Sequence, residues 1–284
     1  MGEGKRTVEN KFWKSRRVFI TGASGLVGSW LVKALLEQQA EVSILDFEAP
    51  PYSEIVRSFD RKKVKLLEGS LSSLDIINKH LLDGIDTVFH LAAQTQVGWA
   101  FNHPQWTFQT NIVGTFNLLE ACRINRIPRM IIASSDKAYG DQPFLPYTEE
   151  TPLAGRYPYD VSKSCVDLLA QSYFHTYGLP VAITRCCNIY GGGDLNWDRL
   201  VPGTIRWCLR KERPIIRSNG HVMRDYLYVK DAVRAYLTLA EQLTPSSLLA
   251  GRAFNFSSEE RQHAIGMVNI IQELMGCADL TPDV

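Results

Sequence analysis

A tyrosine and a lysine four residues apart form the pair in this sequence best suited to chemistry. Tyr159 and Lys163 lie in the segment YDVSK, and on a helix that spacing places the phenol and the ammonium one turn apart on the same face. A phenol with a pKa near 10 is a poor base at neutral pH, but a nearby positive charge favours its ionised form. The pair could therefore take a proton from a hydroxyl group. Isolated YxxxK segments are common, so the surrounding elements decide the interpretation.

A glycine-rich turn lies about 130 residues before this pair and supplies that context. Gly22, Gly25 and Gly28 follow the apolar run RVFI and open an amphipathic stretch. Glycines permit a tight turn and let backbone N–H groups at a helix N-terminus approach a pyrophosphate. Asp46, at the end of the second predicted strand, could accept hydrogen bonds from ribose hydroxyls and would repel a 2′-phosphate. We therefore predict a dinucleotide site that takes NAD rather than NADP.

Apolar runs alternating with amphipathic stretches predict the elements that position these groups. Six runs are predicted strands, at residues 17–20, 41–46, 64–69, 86–92, 129–135 and 180–185, and the clearest helices are predicted at 25–39, 104–125 and 160–177. This alternation is typical of βαβ units. We predict an α/β fold in which a Rossmann-type doubly wound parallel sheet occupies residues 1–184. Residues 185–284 are predicted to form a smaller C-terminal substrate-binding lobe, with some segments returning to the first domain.

Composition narrows the class of partner. The 284 residues are 45% hydrophobic, and 31 basic side chains balance 30 acidic ones, so we expect a small-molecule partner and neither nucleic acid nor membrane. The six cysteines show no metal-type spacing, and neither do His90, His103 and His175, so no metal is predicted. The N-terminal segment is polar and basic without an apolar run, which favours a cytoplasmic protein with free thiols.

The sequence resembles the extended short-chain dehydrogenases/reductases that act on sugar nucleotides. Besides the glycine turn and the Tyr/Lys pair, the resemblance rests on HLAAQ (90–94), NIVGTFNLLEACR (111–123), RCCNIYGGGD (185–194) and RDYLYVKDAVRAYLTLAE (224–241). Within that superfamily it is most similar to the NAD-dependent 4,6-dehydratases, especially the CDP-glucose group, through FWKSRRVFITG, SSDKAYG, NIYGGGDLNWDRLVPGTIRW and GRAFNFSSEE. The resemblance covers nearly the whole chain and implies NAD and a nucleotide-sugar substrate.

For the reaction, the resemblance implies C4 oxidation of an NDP-glucose, elimination of water across C5 and C6, and hydride return to C6. Asp136 is the expected acid at the C6 hydroxyl and requires a pKa raised by burial. Lys137 is expected at C5, either as a base or as a stabiliser of the enolate. Ser135 is expected to hydrogen-bond the C4 oxygen beside Tyr159.

For binding, the resemblance implies two sets of residues. The cofactor set comprises Gly22, Ser24, Gly25, Leu26, Val27, Gly28, Asp46, Ser70, Leu71, Leu91, Ala92, Ala93, Asn111, Tyr159 and Lys163. The substrate set comprises Gln94, Asn188, Arg199 and Arg224, with Asn188 and Arg224 on the diphosphate and Arg199 towards the nucleotide. Asn111 could instead brace Lys163 or cap a helix turn. We expect Trp99 and Trp106 to pack rather than bind a ligand.

Several features keep alternatives open. Ala23 and Val27 stand where the CDP-glucose group usually has histidine and lysine, so the nucleotide base is not determined. A 4-epimerase would use Tyr159, Lys163 and NAD without Asp136 or Lys137, and a non-catalytic NAD-binding regulator is a third candidate. The chain ends several tens of residues before typical relatives, so the lobe is expected to be incomplete. The helices at 104–125 and 160–177 commonly form a bundle in relatives, which implies a homodimer or a dimer of dimers.

Overall fold

The computed structural model describes residues 12–46, 63–73 and 84–284, and most of its strands belong to one parallel sheet. The strands are β1 (Arg17–Thr21), β2 (Glu41–Asp46), β3 (Val64–Glu68), β4 (Thr87–His90), β5 (Met130–Ala133), β6 (Val181–Cys186), β7 (Asn188–Tyr190), β8 (Met223–Tyr228), β9 (Ala253–Phe256) and β10 (Arg261–His263). Seven of them pair in the order β3-β2-β1-β4-β5-β6-β9, and every pairing is parallel. This confirms the predicted Rossmann-type sheet.

Helices cover both faces of that sheet. They are α1 (Leu26–Glu37), α2 (Val97–Asn102), α3 (Pro104–Phe108), α4 (Gly114–Ile124), α5 (Pro158–Tyr177), α6 (Leu200–Arg210), α7 (Val229–Gln242) and α8 (Ala264–Leu274), with a π-helical turn at Gln109–Val113 and a 3₁₀ turn at Asp136–Tyr139. One core cluster joins α1 and α7 to the sheet and another joins α4 and α5 to it. Because both faces of the central strands are covered, β4 and β6 are buried along their whole length.

The helix predicted at 104–125 is not regular. A π turn at Gln109–Val113 separates α3 from α4, and Asn111 in this turn points its amide away from the helix towards Gln94. The hydroxyl of Thr115 donates to the Asn111 carbonyl at 2.5 Å. Side-chain hydrogen bonds therefore accompany the extra residue in this turn, as is common at functional sites.

The strands predicted at 86–92 and 129–135 are shorter than expected at their carboxyl ends. They leave the ladder after His90 and Ala133. The strand order reverses between β1 and β4, so the segments that leave these two strands run to opposite sides of the sheet. A crevice is therefore left between them at the carboxyl edge. The residues that follow these strands enter that crevice instead of continuing the sheet.

The C-terminal hundred residues build a small lobe that remains connected to the sheet. A second sheet has the order β10-β8-β7, and a small core of Ile216, Ala264 and Val268 forms under it. However, β9 pairs with β6 in the main sheet and α7 packs against α1. The predicted division at residue 184 into a cofactor domain and a substrate lobe therefore stays a prediction.

Two general properties follow from the described parts of the chain. None of the helices there combines the length and apolarity needed to cross a bilayer. The six cysteines are all free thiols, with Cys122, Cys186 and Cys208 buried.

Candidate functional site

A cleft of about 1630 Å³ lies between the carboxyl edge of the main sheet and the small lobe. The predicted site residues that line it are Gly22, Ser24, Gly25, Leu26, Val27, Gly28, Ser70, Leu71, Leu91, Ala92, Ala93, Gln94, Ser135, Asp136, Lys137, Tyr159, Lys163, Asn188, Arg199 and Arg224. The fold thus brings residues from eight separate stretches of the chain to one cavity. Asp46 is the last residue of β2, but its side chain lies outside what the structure describes.

The glycine turn at one end of the cleft is shaped for close approach of backbone. Gly22 has φ +73°, and a Cβ there would lie 2.6 Å from the Ala92 nitrogen. A Cβ on Gly28 would overlap the Gly22 carbonyl oxygen. Gly25 precedes α1 and has no side chain to cap the first N–H groups of the helix, and the first residues of α1 line the cleft. A dinucleotide pyrophosphate fits such a turn.

Tyr159 and Lys163 lie on the first two turns of α5, at the middle of the cleft. Lys163 is 4% exposed and its Nζ donates to the Ala133 carbonyl at 2.8 Å. Burial lowers the pKa of Lys163 to about 8, against the opposing influence of Cys186 and Asp167. The ammonium lies 5.9 Å from the centre of the Tyr159 ring.

The pKa of Tyr159 differs from the prediction that Lys163 would lower it. Burial, and then the charge of Asp136, raise that pKa to about 12, while a hydrogen bond with Ser135 and the charge of Arg199 act in the opposite direction. Lys163 was expected to lower this pKa together with the positive nicotinamide ring of bound NAD. In the protein alone, desolvation of the phenolate outweighs the Ser135 hydrogen bond and the Arg199 charge.

The segment after β5 places three polar side chains beside the tyrosine. Ser135 caps the 3₁₀ turn, accepting from the Lys137 N–H at 3.2 Å and donating to Asp136 Oδ1 at 2.9 Å. Burial raises the pKa of Asp136, although the Lys137 charge opposes this. That is the direction an acid requires.

The residues expected on the substrate diphosphate lie on the lobe side. The Asn188 amide donates to the Asp225 carbonyl at 3.2 Å. Arg224 is exposed, and its charge lowers the pKa of Asp136. Arg199 pairs with Asp194 at 3.2 Å. On this wall, the charge of Arg224 therefore acts on Asp136 in the 3₁₀ turn, whereas the charge of Arg199 is paired with Asp194.

Asn111, predicted among the cofactor residues, is held by hydrogen bonds inside the protein. It is 1% exposed, and its amide exchanges two hydrogen bonds with the Gln94 main chain, at 2.7 and 3.0 Å. It also donates to the Ser162 hydroxyl at 2.9 Å. Since its polar atoms are used within the protein, it braces the Gln94 loop against α5.

Ser70 and Gln94 line the cleft with their hydroxyl and amide groups already hydrogen-bonded. The Ser70 hydroxyl lies 2.8 Å from that of Ser72. The Gln94 side chain donates to the Gln96 carbonyl at 3.1 Å and accepts from Thr107 at 3.3 Å.

The cleft also contains residues that sequence reasoning missed. Trp99 and Trp106 contact each other edge-on, as the packing expectation requires, yet they are 36% and 55% exposed and line the cleft, because α2 and α3 pass along its rim. Trp197 and Trp207 line it too, and their place in the segment that carries the family resemblance was an available signal. The Ala133 carbonyl that holds Lys163 is main chain and has no sequence signal.

His90 and His103 have separate structural roles in the described part of the chain. His90 is buried and bridges Thr21 and Thr115 at 2.7 and 2.8 Å, and burial lowers its pKa to about 3. His103 stacks on Trp99 at the surface. Within residues 12–46, 63–73 and 84–284, no group of histidine, cysteine or carboxylate side chains is arranged to hold a metal ion.

Comparison with known proteins gives a family and a set of relatives. A sequence model of the NAD dependent epimerase/dehydratase family matches residues 18–255. The chain is 31% identical to CDP-glucose 4,6-dehydratase of Salmonella typhimurium over 89% of this chain and 74% of that protein. It is 32% identical to a trifunctional UDP-glucose 4,6-dehydratase/epimerase/reductase of Arabidopsis thaliana, over 78% of this chain but only 34% of that protein.

Solved structures agree in fold. The crystal structure of UDP-glucose 4-epimerase from Thermotoga maritima superposes with a TM-score of 0.85 at 26% identity, covering 94% of this chain and 84% of that one.

Proposed function

The chain belongs to the NAD dependent epimerase/dehydratase family, and from this premise we propose that it is a sugar-nucleotide 4,6-dehydratase. This lyase would convert an NDP-glucose, with CDP-glucose favoured, into NDP-4-keto-6-deoxyglucose. Family membership confirms the resemblance seen in the sequence and NAD as the cofactor. The observation that carries the proposal is the position of Asp136 and Lys137, which line the same cleft as Tyr159. An epimerase has no use for these two residues.

The residues present fit NAD. The Gly22, Gly25 and Gly28 turn would hold the pyrophosphate, and Ser70 and Leu71 would lie near the adenine. The chemistry that NAD supplies when bound is reversible hydride uptake, from C4 first and back to C6 at the end.

Tyr159 would take the proton of the C4 hydroxyl, and Lys163 would keep Tyr159 in position. The Ser135 hydrogen bond and the Arg199 charge both lower the pKa of Tyr159 against burial. Ser135 would hydrogen-bond the C4 oxygen as well. The cost of burying the phenolate is therefore reduced by the hydrogen bond with Ser135 and by the charge of Arg199.

Asp136 would protonate the departing C6 hydroxyl, and Lys137 would act at C5 as a base or by stabilising the enolate. Burial keeps a proton on Asp136 to a higher pH than for an exposed carboxyl. Arg224 and Asn188 would hold the diphosphate, and Arg199 would lie towards the nucleotide. The preference for CDP-glucose rests on similarity to the Salmonella enzyme.

The test is to incubate the protein and NAD with CDP-, UDP-, GDP- and dTDP-glucose in heavy water. A 4-keto-6-deoxy product with solvent deuterium at C5 is the expected result. In Lys137→Ala, the 4-keto sugar should form and then persist, because only the second stage needs Lys137. Unchanged turnover in this variant would remove Lys137 from the proposal.

The second candidate function is a 4-epimerase, favoured by the structural likeness to UDP-glucose 4-epimerase. The same incubation separates the two. Inversion at C4 without loss of water would replace the dehydratase proposal by this one.

We propose further that the protein is a cytoplasmic homodimer or dimer of dimers. Phe116 and Ile124 on α4 and Leu168 and Tyr177 on α5 are 44% to 57% exposed, and α4 and α5 pack together. Covering this apolar face would stabilise a dimer. Light scattering should show at least two copies, and Leu168→Glu should shift the mass to one.

A further inference from the structure

The two segments that carry the proposed catalytic groups meet on one buried arginine. Arg185 lies on β6 and is 4% exposed. Its Nε and Nη2 donate to the two oxygens of Asp167 at 2.9 and 2.8 Å, and Asp167 is fully buried. A buried ion pair of this kind is costly unless every donor is satisfied, so its geometry is tightly restrained.

One end of this arrangement lies under the Tyr159–Lys163 helix. Asp167 follows Lys163 by one turn of α5, and its charge raises the pKa of Lys163 against the larger influence of burial. The Asp167 carboxylate is therefore close enough to Lys163 to act on it, and the same carboxylate is fixed by both arms of the guanidinium.

The other end lies under the 3₁₀ turn. Arg185 Nη1 donates to the Tyr139 hydroxyl at 2.8 Å and to the Glu149 carbonyl at 3.0 Å. Tyr139 is the last residue of the turn that carries Asp136 and Lys137, and it is 1% exposed. Its hydroxyl donates in turn to Asn255 Oδ1 on β9 at 2.7 Å.

We propose that Arg185 and Tyr139 are positioning residues that set the Asp136–Lys137 turn relative to the Tyr159–Lys163 helix. The inference rests on the proposed dehydratase function. A 3₁₀ turn of four residues has little hydrogen bonding of its own, so its position depends on the groups that hold it. The Ser164 hydroxyl on α5 donates to the Ala138 carbonyl at 2.8 Å, and Arg185 holds Tyr139 at the end of the turn. The guanidinium is a rigid fork that reaches both segments at once. Elimination needs the turn and the helix to act on the same sugar, whereas C4 oxidation needs the helix and Ser135.

The test separates these two stages. In a single turnover of Tyr139→Phe with the favoured NDP-glucose, the quenched sugar is divided by mass spectrometry into unreacted, 4-keto and 4-keto-6-deoxy forms. We expect the 4-keto form to appear at nearly the wild-type rate and to be consumed roughly tenfold to a hundredfold more slowly, as a displaced catalytic group would cause. KM should change less than kcat.

The matched control is Tyr173→Phe. Tyr173 lies on α5 and, like Tyr139, is buried and has a hydroxyl that donates to one partner, here Glu120 at 3.0 Å. Its hydroxyl faces α4 rather than the 3₁₀ turn. The variant should leave both stages as in the wild type. Arg185→Lys keeps the charge but lacks the fork, and it should slow the second stage as Tyr139→Phe does. If Arg185→Lys does not fold, the Tyr139→Phe variant still tests the positioning role.

Equal losses in both stages of Tyr139→Phe, or no loss in either, would overturn the positioning role. Failure of the proposed function shows elsewhere, in the wild-type protein, as inversion at C4 or as no reaction. In that case the inference falls with it, since no elimination would exist to be positioned.

Discussion

The charge of Asp136 influences the ionisation of Tyr159, which lines the same cleft. Burial raises the pKa of each, and the Asp136 charge raises that of Tyr159 further. A protonated Asp136 carries no charge, so it would stop disfavouring the phenolate. The acid role of one residue and the base role of the other are therefore compatible, and each favours the protonation state that the other requires.

Tyr159→Phe should remove the first stage of the proposed reaction. The ring stays and the proton acceptor is lost, so kcat should fall by about 10² to 10⁴ while nucleotide-sugar binding, measured by calorimetry, is nearly unchanged. Tyr157→Phe is the control, because Tyr157 is close in sequence but 54% exposed. Retention of activity in Tyr159→Phe would refute the role of the phenol.

Asp136→Asn should stop the reaction one stage later. Asparagine keeps the shape of the side chain but cannot deliver a proton, so the 4-keto sugar should form and its dehydration should slow by about 10² to 10⁴. Quenched single turnovers measure both rates. If 4-keto formation is lost instead, Asp136 serves the first stage and the acid assignment is wrong.

The positions at which strands end decide what reaches the cleft. β1, β4 and β5 end at Thr21, His90 and Ala133, and the glycine turn, Leu91–Ala93 and Ser135–Lys137 follow them directly. Parallel strands bring all their carboxyl ends to one edge of the sheet. Segments more than a hundred residues apart in sequence thus become neighbours because they occupy equivalent places in successive βα units.

Gly22→Ala should weaken NAD binding. The residue adopts φ +73°, which alanine disfavours, and its Cβ would meet the Ala92 backbone. We expect the NAD dissociation constant to rise at least tenfold, measured by calorimetry. Gly98→Ala is the control, since a Cβ there has nothing within 4 Å. Equal NAD affinity in both variants would contradict the role of the turn.

At the scale of the whole molecule, the cleft exists because the lobe is tied to the sheet at several points. β9 extends the sheet beside β6, and α7 packs on α1. Asn255 on β9 accepts a hydrogen bond from the Tyr139 hydroxyl. The substrate side of the cleft is therefore fixed to the cofactor side, and the stability of the lobe is coupled to the stability of the main sheet.

The pH dependence of global stability should reflect His90. Its pKa is about 3 in the folded protein and 6.5 when exposed, so between these values the unfolded chain binds a proton that the folded chain does not. The free energy of unfolding should then fall as pH drops below about 6.5, by up to ~1.4 kcal/mol per pH unit from this group. Denaturant unfolding at pH 7 and pH 5 should show a smaller drop for His90→Asn than for the wild type. The exposed His175→Asn should keep the wild-type drop, and a slope unchanged in His90→Asn would contradict this origin.

Sequence alone determined the sheet, the glycine turn, the Tyr159–Lys163 pair and the family, because these depend on short-range patterns: periodicity, glycine spacing and the one-turn separation on a helix. The break at Asn111, the exposure of Trp99 and Trp106 and the raised pKa of Tyr159 depended on tertiary structure. Each arises from what residues distant in sequence place around a group, whether a hydrogen-bond partner, a rim of solvent or a low-dielectric wall. The link from Lys163 through Asp167 and Arg185 to Tyr139 is of this second kind, since α5, β6 and the 3₁₀ turn must fold together before all of its hydrogen bonds can form.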